Sequence, residues 1–123
     1  MGEPDPGPQR HAAATVVAAE GSNRASINFS LNCAGCHRED GTGKAGLVPA
    51  LAGSIGQVFS APGGREYVGR IPGVANSFLD DQELSDVLNW LLPRFDVQHV
   101  RADFRRYTAD EVGRLRKSPM SDA

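Results

Sequence analysis

The sequence predicts an all-α fold of short helices, and three observations support this prediction. Apolar side chains between residues 80 and 92 recur at helical spacing, which places them on one face. The segment Thr108-Ala109-Asp110-Glu111 has the pattern of a capping box that starts a helix. Clusters of glycine and proline divide the remaining chain into short pieces. The apolar face is formed by Leu84, Val87, Leu88 and Leu91.

Length and charge narrow the functional classes. The chain has 123 residues, enough for one domain, and a formal net charge of −2. A nearly balanced charge gives no reason to expect binding to nucleic acid or to a membrane surface. No apolar run is long enough to span a bilayer.

Residues 1–20 are predicted to form a flexible leader, because prolines are spaced through the start of this segment. The segment carries no hydrophobic core of a signal peptide. Ser22 is placed to cap a first helix that runs to about Cys33. Apolar residues in this stretch alternate, so the pattern alone fits a strand equally well.

Cys33-Ala34-Gly35-Cys36-His37 is the attachment motif of a c-type haem. Two thiols three positions apart can form thioethers with the vinyl groups on one porphyrin edge. The adjacent imidazole of His37 can then bind iron as the proximal ligand. A zinc site would need four ligands, and a redox dithiol would need a βαβ context, so both alternatives fit poorly. The motif therefore predicts one covalent haem c and its iron.

The middle of the chain is predicted to alternate loops with short helices. Residues 38–53 are rich in glycine and form a loop, and Ser54–Ser60 and Arg65–Ile71 form short helices. Pro72-Gly73 breaks the second of these. The helix that begins at Asp80 is expected to end by Leu92, because Pro93 follows.

Residues 94–123 are predicted to be a C-terminal extension with a helix that packs on a domain of residues 21–93. Phe104 and Tyr107 are candidates for holding the extension to the domain. The extension is locally basic, which fits either a solvated helix face or a docking surface for an acidic redox partner. Its basic residues are Arg94, Arg101, Arg105, Arg106, Arg114, Arg116 and Lys117.

In this order, the motifs resemble those of class I, single-haem c-type cytochromes. Gly41-Thr42-Gly43 and Pro49-Ala50-Leu51 resemble two loop motifs of that family. The resemblance implies short helices wrapped around the haem, with the Pro49 carbonyl accepting a hydrogen bond from the axial imidazole and Leu51 packing on the ring. It also implies that a first helix with Phe29 crosses the helix that carries Trp90.

The distal side departs from the family pattern. Val74 stands where the family usually has a methionine that binds iron, and valine cannot coordinate a metal. We therefore expect Val74 to form an apolar distal wall, and the sixth position to be open or weakly held by Asn76. Asn76 is, however, better explained as a turn residue whose bonds are local. Other candidate ligands are each better explained as surface, packing or tail residues. They are His99, Lys44, Tyr67 and Met120.

The predicted function is transfer of single electrons between redox protein partners, with no catalytic side chains and thus no enzyme activity. The alternative is a haem module that binds CO, NO or cyanide for sensing or scavenging. A weaker alternative, a peroxidase, would need a distal group such as Arg65 or Arg70. We expect a periplasmic location, because haem c is attached outside the cytoplasm, and we expect the export signal to be missing from this sequence.

Overall fold

The computed structural model describes residues 23–120, and these residues form an all-helical fold. Helix α1 covers residues 23–32 and is followed after a break by α2, Ala34–His37. The later helices are α3 (Ile55–Ser60), α4 (Gly64–Arg70), α5 (Pro72–Ala75), α6 (Asp81–Asp96) and α7 (Ala109–Arg116). A 3₁₀ turn, Val97–His99, follows α6. The expected leader, residues 1–20, and the capping residue Ser22 lie outside the described residues.

The packing of α1 against α6 forms the centre of the core. Phe29 is 1% exposed, and its ring centroid lies 5.5 Å from that of Trp90 and 5.2 Å from that of Phe95. Tilted aromatic pairs at such distances add to the free energy gained from apolar burial. The contact expected between Phe29 and Trp90 is confirmed. The helical form of residues 23–32 also settles the ambiguous alternation of that segment.

Helix α6 begins as expected but continues through Pro93. The Asp80 carboxylate accepts a bond from the Glu83 N–H, and the Glu83 carboxylate accepts one from the Asp80 N–H, which completes a capping box. The prediction that Pro93 ends the helix is wrong. Tertiary contacts beyond Pro93 hold the last turn: the Phe95 carbonyl and the Asp96 carboxylate each accept a backbone N–H from the segment around α3.

The short helices lie close to their expected places. Ser54 is the N-cap of α3, and α4 starts one residue earlier than predicted. Pro72 not only separates α4 from the residues that follow but is also the first residue of the one-turn helix α5. Proline suits a first helical position, where its missing N–H has no intrahelical partner.

The segment after α6 folds back on the molecule. Tyr107 and Val112 are buried in the common core, and α7 packs against α4 and α6. The Thr108 hydroxyl accepts the Glu111 N–H, but the Glu111 carboxylate binds Arg65, so only half of the predicted capping box forms. Within residues 23–120, no helix is long and apolar enough to cross a membrane.

Residues 118–120 lie against the end of α4, a contact that the sequence did not indicate. The Arg70 Nε–H donates to the Ser118 carbonyl at 2.7 Å, and the Met120 N–H donates to the Arg70 carbonyl at 2.8 Å. These bonds use backbone groups of the tail. Because the side chains of residues 118–120 take no part in these bonds, the contact could not be predicted from the residue types.

Candidate haem-attachment site

The two cysteines and the histidine lie on one helical turn that follows the first helix. The Cys33 N–H donates to the Phe29 carbonyl at 2.8 Å, and the His37 N–H donates to the Cys33 carbonyl at 3.0 Å. Cys33 is half-buried and Cys36 is exposed, and both are free thiols. Burial and the neighbouring Cys36 raise the pKa of the Cys33 thiol. The turn thus presents two thiols and an imidazole within five residues of chain.

The imidazole of His37 is oriented by the loop that follows it. Its Nδ1 lies 3.1 Å from the Pro49 carbonyl oxygen. A carbonyl can only accept, so Nδ1 must carry the proton and donate. Nε2 then keeps its lone pair and is free to bind a metal, and the hydrogen bond makes it a more basic ligand.

Gly43 allows the loop to bring Pro49 to the imidazole. Gly43 has φ +67°, and its N–H donates to the His37 carbonyl at 2.9 Å. A Cβ added at Gly43 would lie 2.7 Å from the Pro49 carbonyl oxygen and even closer to the Val48 carbonyl oxygen. Only glycine adopts this conformation without strain and also leaves room for the two carbonyls. The sequence motif indicated this glycine but not the reason for it.

Leu51 anchors the far end of the same loop. It is buried in the core, and its N–H donates to the Gly41 carbonyl at 2.7 Å. Gly41 in turn lies against the Phe95 ring, where a Cβ would be 2.7 Å from a ring carbon. The loop that carries Pro49 is therefore attached at both ends, to α2 and to the core.

The distal candidates lie on α5 and at its end. Val74 is half-buried and packs against the core cluster. Asn76 is exposed, and as the C-cap of α5 its N–H donates to the Pro72 carbonyl at 2.9 Å. This geometry fits the interpretation of Asn76 as a turn residue.

The remaining candidate ligands have other surroundings. His99 Nδ1 lies 2.5 Å from the buried carboxylate of Asp96, which also accepts the Gly56 N–H. Lys44 is exposed in a turn, and Tyr67 is about half exposed. Arg65 binds Glu111 with two nitrogens, so its guanidinium is already used in packing α7. The exposure of Lys44 and His99 agrees with their interpretation as surface residues. Tyr67 is more exposed than a packing residue would be, and the bonds of Arg65 to Glu111 give it a structural role instead of a distal one.

One residue with a large structural effect was missed. Arg116 reaches from α7 to three backbone carbonyls of the segment between α5 and α6. The sequence showed it only as one of several basic residues in the extension. Nothing in its neighbourhood in the sequence distinguishes Arg116 from Arg114.

The donor set fits a covalently bound haem c. Two free thiols stand three residues apart, and the next side chain is an imidazole whose Nε2 is left free by the bond to Pro49. Exposed apolar side chains on the loop, on α4 and between α5 and α6 would be covered by a porphyrin more favourably than by water. These are Leu47, Tyr67 and Phe78. The fold and the donor set therefore define a haem protein of the c class.

Comparison with known proteins gives the family. Residues 22–93 match the family model described as cytochrome c. The chain is 35% identical over 108 residues to cytochrome c-552 of Thermus thermophilus, covering 72% of this chain and 82% of that protein. A second cytochrome c-552, from a particular strain of Thermus thermophilus, is also 35% identical, covering 72% of each chain. The chain belongs to the cytochrome c family. It carries one covalent haem c and acts as an electron carrier rather than an enzyme.

Proposed function

We propose that this cytochrome c is an exported, periplasmic protein that passes single electrons between redox protein partners. In this proposal Cys33 and Cys36 hold the haem, and His37 is the proximal ligand of the iron. The observation that supports it most directly is the bond between His37 Nδ1 and the Pro49 carbonyl, beside two free thiols. That bond fixes the ring and its tautomer before the iron binds.

The chain's own residues then have simple roles. The bound haem supplies reversible one-electron chemistry. Pro49 holds the proton on Nδ1, and Leu51 and Val74 exclude water from the two faces of the ring. No proton transfer by a side chain is needed, because the exchanged electron enters and leaves through the porphyrin.

Attachment can be tested by expressing the protein together with the haem c maturation machinery. The denatured protein should keep its chromophore after acid–acetone extraction, and its mass should exceed that of the polypeptide by one haem. The Cys33→Ser/Cys36→Ser double variant is the control and should lose the chromophore. Reversible one-electron voltammetry of the wild-type protein then tests electron transfer. A wild-type protein without a covalent chromophore would contradict the proposal.

Binding of a small ligand at the sixth position is a second candidate function. The segment from Ile71 to Asp80 contains no methionine, histidine, lysine, cysteine or tyrosine, so it offers no strong iron ligand. Val74 is half-buried there and would give the distal face an apolar wall. CO, NO or cyanide would then bind to iron whose sixth position is open or weakly held by Asn76.

The spectrum of the reduced protein before and after addition of CO separates the two candidates. An immediate shift indicates an open or weakly held site and favours ligand binding. An unchanged spectrum indicates a strong internal ligand and favours electron transfer alone. Asn76→Ala and His99→Ala test the two named residues as ligands, because loss of a ligand would alter the ferric spectrum.

A further inference from the structure

One side chain of α7 binds the backbone of the segment that links α5 to α6. Arg116 Nε donates to the Ala75 carbonyl at 3.0 Å, Nη2 to the Ser77 carbonyl at 3.0 Å, and Nη1 to the Leu79 carbonyl at 2.9 Å. Nη1 also lies 3.0 Å from the Asp81 carboxylate at the start of α6. One guanidinium thus contacts four successive odd-numbered positions across the segment of residues 75–81, which we call the distal segment.

The Arg116 side chain is largely buried, and its N–H groups are bonded to the distal segment. Its side chain is only 15% exposed, whereas Asp81 is 51% exposed. A guanidinium withdrawn from water needs partners for its N–H groups, and the three carbonyls and one carboxylate supply them. The helix approaches closely, since a Cβ at Gly113 would lie 2.6 Å from an Asp81 carboxylate oxygen.

The N–H groups at the start of the distal segment are bonded to Ile71 and to α5, but the side chains in its middle do not anchor it. The Ser77 hydroxyl is buried without a hydrogen-bond partner among the described residues. The Asn76 side chain is exposed, and Phe78 is fully exposed. The side chains of these three residues therefore do not hold the backbone in place. The bonds to Arg116 hold its carbonyls, and they act together with the N–H bonds to α5 and the buried side chain of Leu79.

We propose that Arg116 is a positioning residue that fixes the distal segment over the haem and thereby restricts access of small ligands to the iron. This inference rests on the proposed placement of Val74 and Asn76 beside the haem. Arg116 does not touch the iron in this account. It acts through the backbone that carries the distal side chains, and a planar fork of N–H donors suits three carbonyls at once.

Three variants of the haem-loaded protein test the role of Arg116. Arg116→Ala removes all four bonds, and Arg116→Lys keeps the charge but cannot reach three carbonyls together. Arg114→Ala is the matched control, because Arg114 is an exposed arginine on the same helix. Two quantities are compared: hydrogen exchange of the amides in residues 75–81, and the rate of CO binding to the reduced protein.

In Arg116→Ala we expect exchange of these amides to be at least about tenfold faster, and CO binding to be faster as well. Arg114→Ala should match the wild-type protein, and Arg116→Lys should lie between the two. The proposal is wrong if Arg116→Ala exchanges like Arg114→Ala. Its claim about access is wrong if exchange accelerates while the CO rate does not. A wild-type protein that takes up haem but does not bind CO would contradict the open sixth site, and exchange alone would then judge whether Arg116 fixes the segment.

Discussion

The loop of residues 38–53 that carries Pro49, here called the proximal loop, and the distal segment are built in opposite ways. On the proximal side, His37 and the Pro49 carbonyl that orients it are twelve positions apart, and Gly43 lies between them. On the distal side, the backbone of residues 75–79 is held by Arg116, 37 to 41 positions further along the chain. The first arrangement is local, and the second depends on a helix that comes from elsewhere in the sequence.

The residues that would bind the haem and the residue that holds the distal backbone therefore lie in different parts of the sequence. The family match covers residues 22–93 and therefore includes the cysteines, the histidine and the proximal loop. It ends before α7, which supplies Arg116. A haem site can thus belong to a common family while part of its scaffold lies outside the region that defines the family.

The largest expected effect comes from removing the contact that holds the extension to α4. Arg65 is 13% exposed, pairs with Glu111, and donates to the carbonyls of Arg105 and Arg106. Its guanidinium also lies 4.2 Å from the centre of the Tyr107 ring. Breaking a largely buried ion pair costs ~3–5 kcal/mol, so Arg65→Ala should lower the free energy of unfolding by about that amount. Denaturant titration of the haem-loaded protein measures this change.

Arg65→Ala also tests whether haem attachment depends on the extension. Arg65→Ala should still attach haem, because the thiols and His37 belong to α2 and the proximal loop. Arg114→Ala, which changes an exposed arginine, should alter stability by no more than ~0.5 kcal/mol. Equal stability of the two variants would show that the extension contributes little to the fold.

The next effect is expected at Gly43, on the proximal side. Gly43→Ala places a side chain in a left-handed conformation and against the Val48 and Pro49 carbonyls, with an expected cost of ~1–3 kcal/mol. Gly46→Ala is the matched control, since Gly46 has φ +79° but no atom within 4 Å of an added Cβ. The excess cost at Gly43 therefore measures the collision alone.

The iron–histidine stretching frequency shows whether the strain in Gly43→Ala also affects the bond between His37 and the iron. If Gly43→Ala displaces the Pro49 carbonyl, the bond to Nδ1 weakens and His37 becomes a less basic ligand. The iron–histidine stretching frequency in the reduced protein should then fall, whereas Gly46→Ala should leave it unchanged. An unchanged frequency in both variants would mean that the loop does not tune the ligand.

The parts that the sequence predicted are those with local causes. The start of α6 at Asp80, the place of α3 and the alternation of short helices with glycine-rich turns follow from chain neighbours. The contact of Phe29 with Trp90 was obtained from the family resemblance. The imidazole-to-carbonyl bond was likewise implied by the resemblance before the geometry was known.

The parts that the sequence did not predict have distant causes. Proline normally ends a helix, but α6 passes through Pro93 because Phe95 and Asp96 bind the segment around α3. The Glu111 carboxylate binds Arg65 and therefore does not bind the backbone N–H at the start of α7. Arg116 and the Met120 N–H donate to backbone carbonyls. Every residue has such a carbonyl, so the residue types do not indicate which one is bound.

The smallest effect separates two carboxylates by their dependence on pH. Hydrogen bonds from Arg65 lower the pKa of Glu111, and hydrogen bonds from Thr42 lower the pKa of Asp40 in the proximal loop. A depressed pKa in the folded state stabilises the protein above the unfolded value, about 4.3 for glutamate, and this contribution is lost as the pH falls through the folded value. Glu111 is largely buried beside Arg65, whereas Asp40 is exposed, so Glu111 should account for most of the effect.

Glu111→Gln should therefore lower stability by ~1–2 kcal/mol at neutral pH, where the lost bond is charge-assisted. The difference from the wild-type protein should shrink as the pH falls below about 4.3, where the glutamate of the unfolded chain takes up a proton, and it should be lost as the pH falls through the lower pKa of folded Glu111. Asp40→Asn serves as the comparison and should leave the pH dependence almost unchanged. Urea titrations between about pH 3 and pH 7 measure all three proteins. A constant difference across that range would show that Glu111 acts through packing, and α7 would then be held mainly by apolar contact and by the bonds of Arg65 to backbone carbonyls.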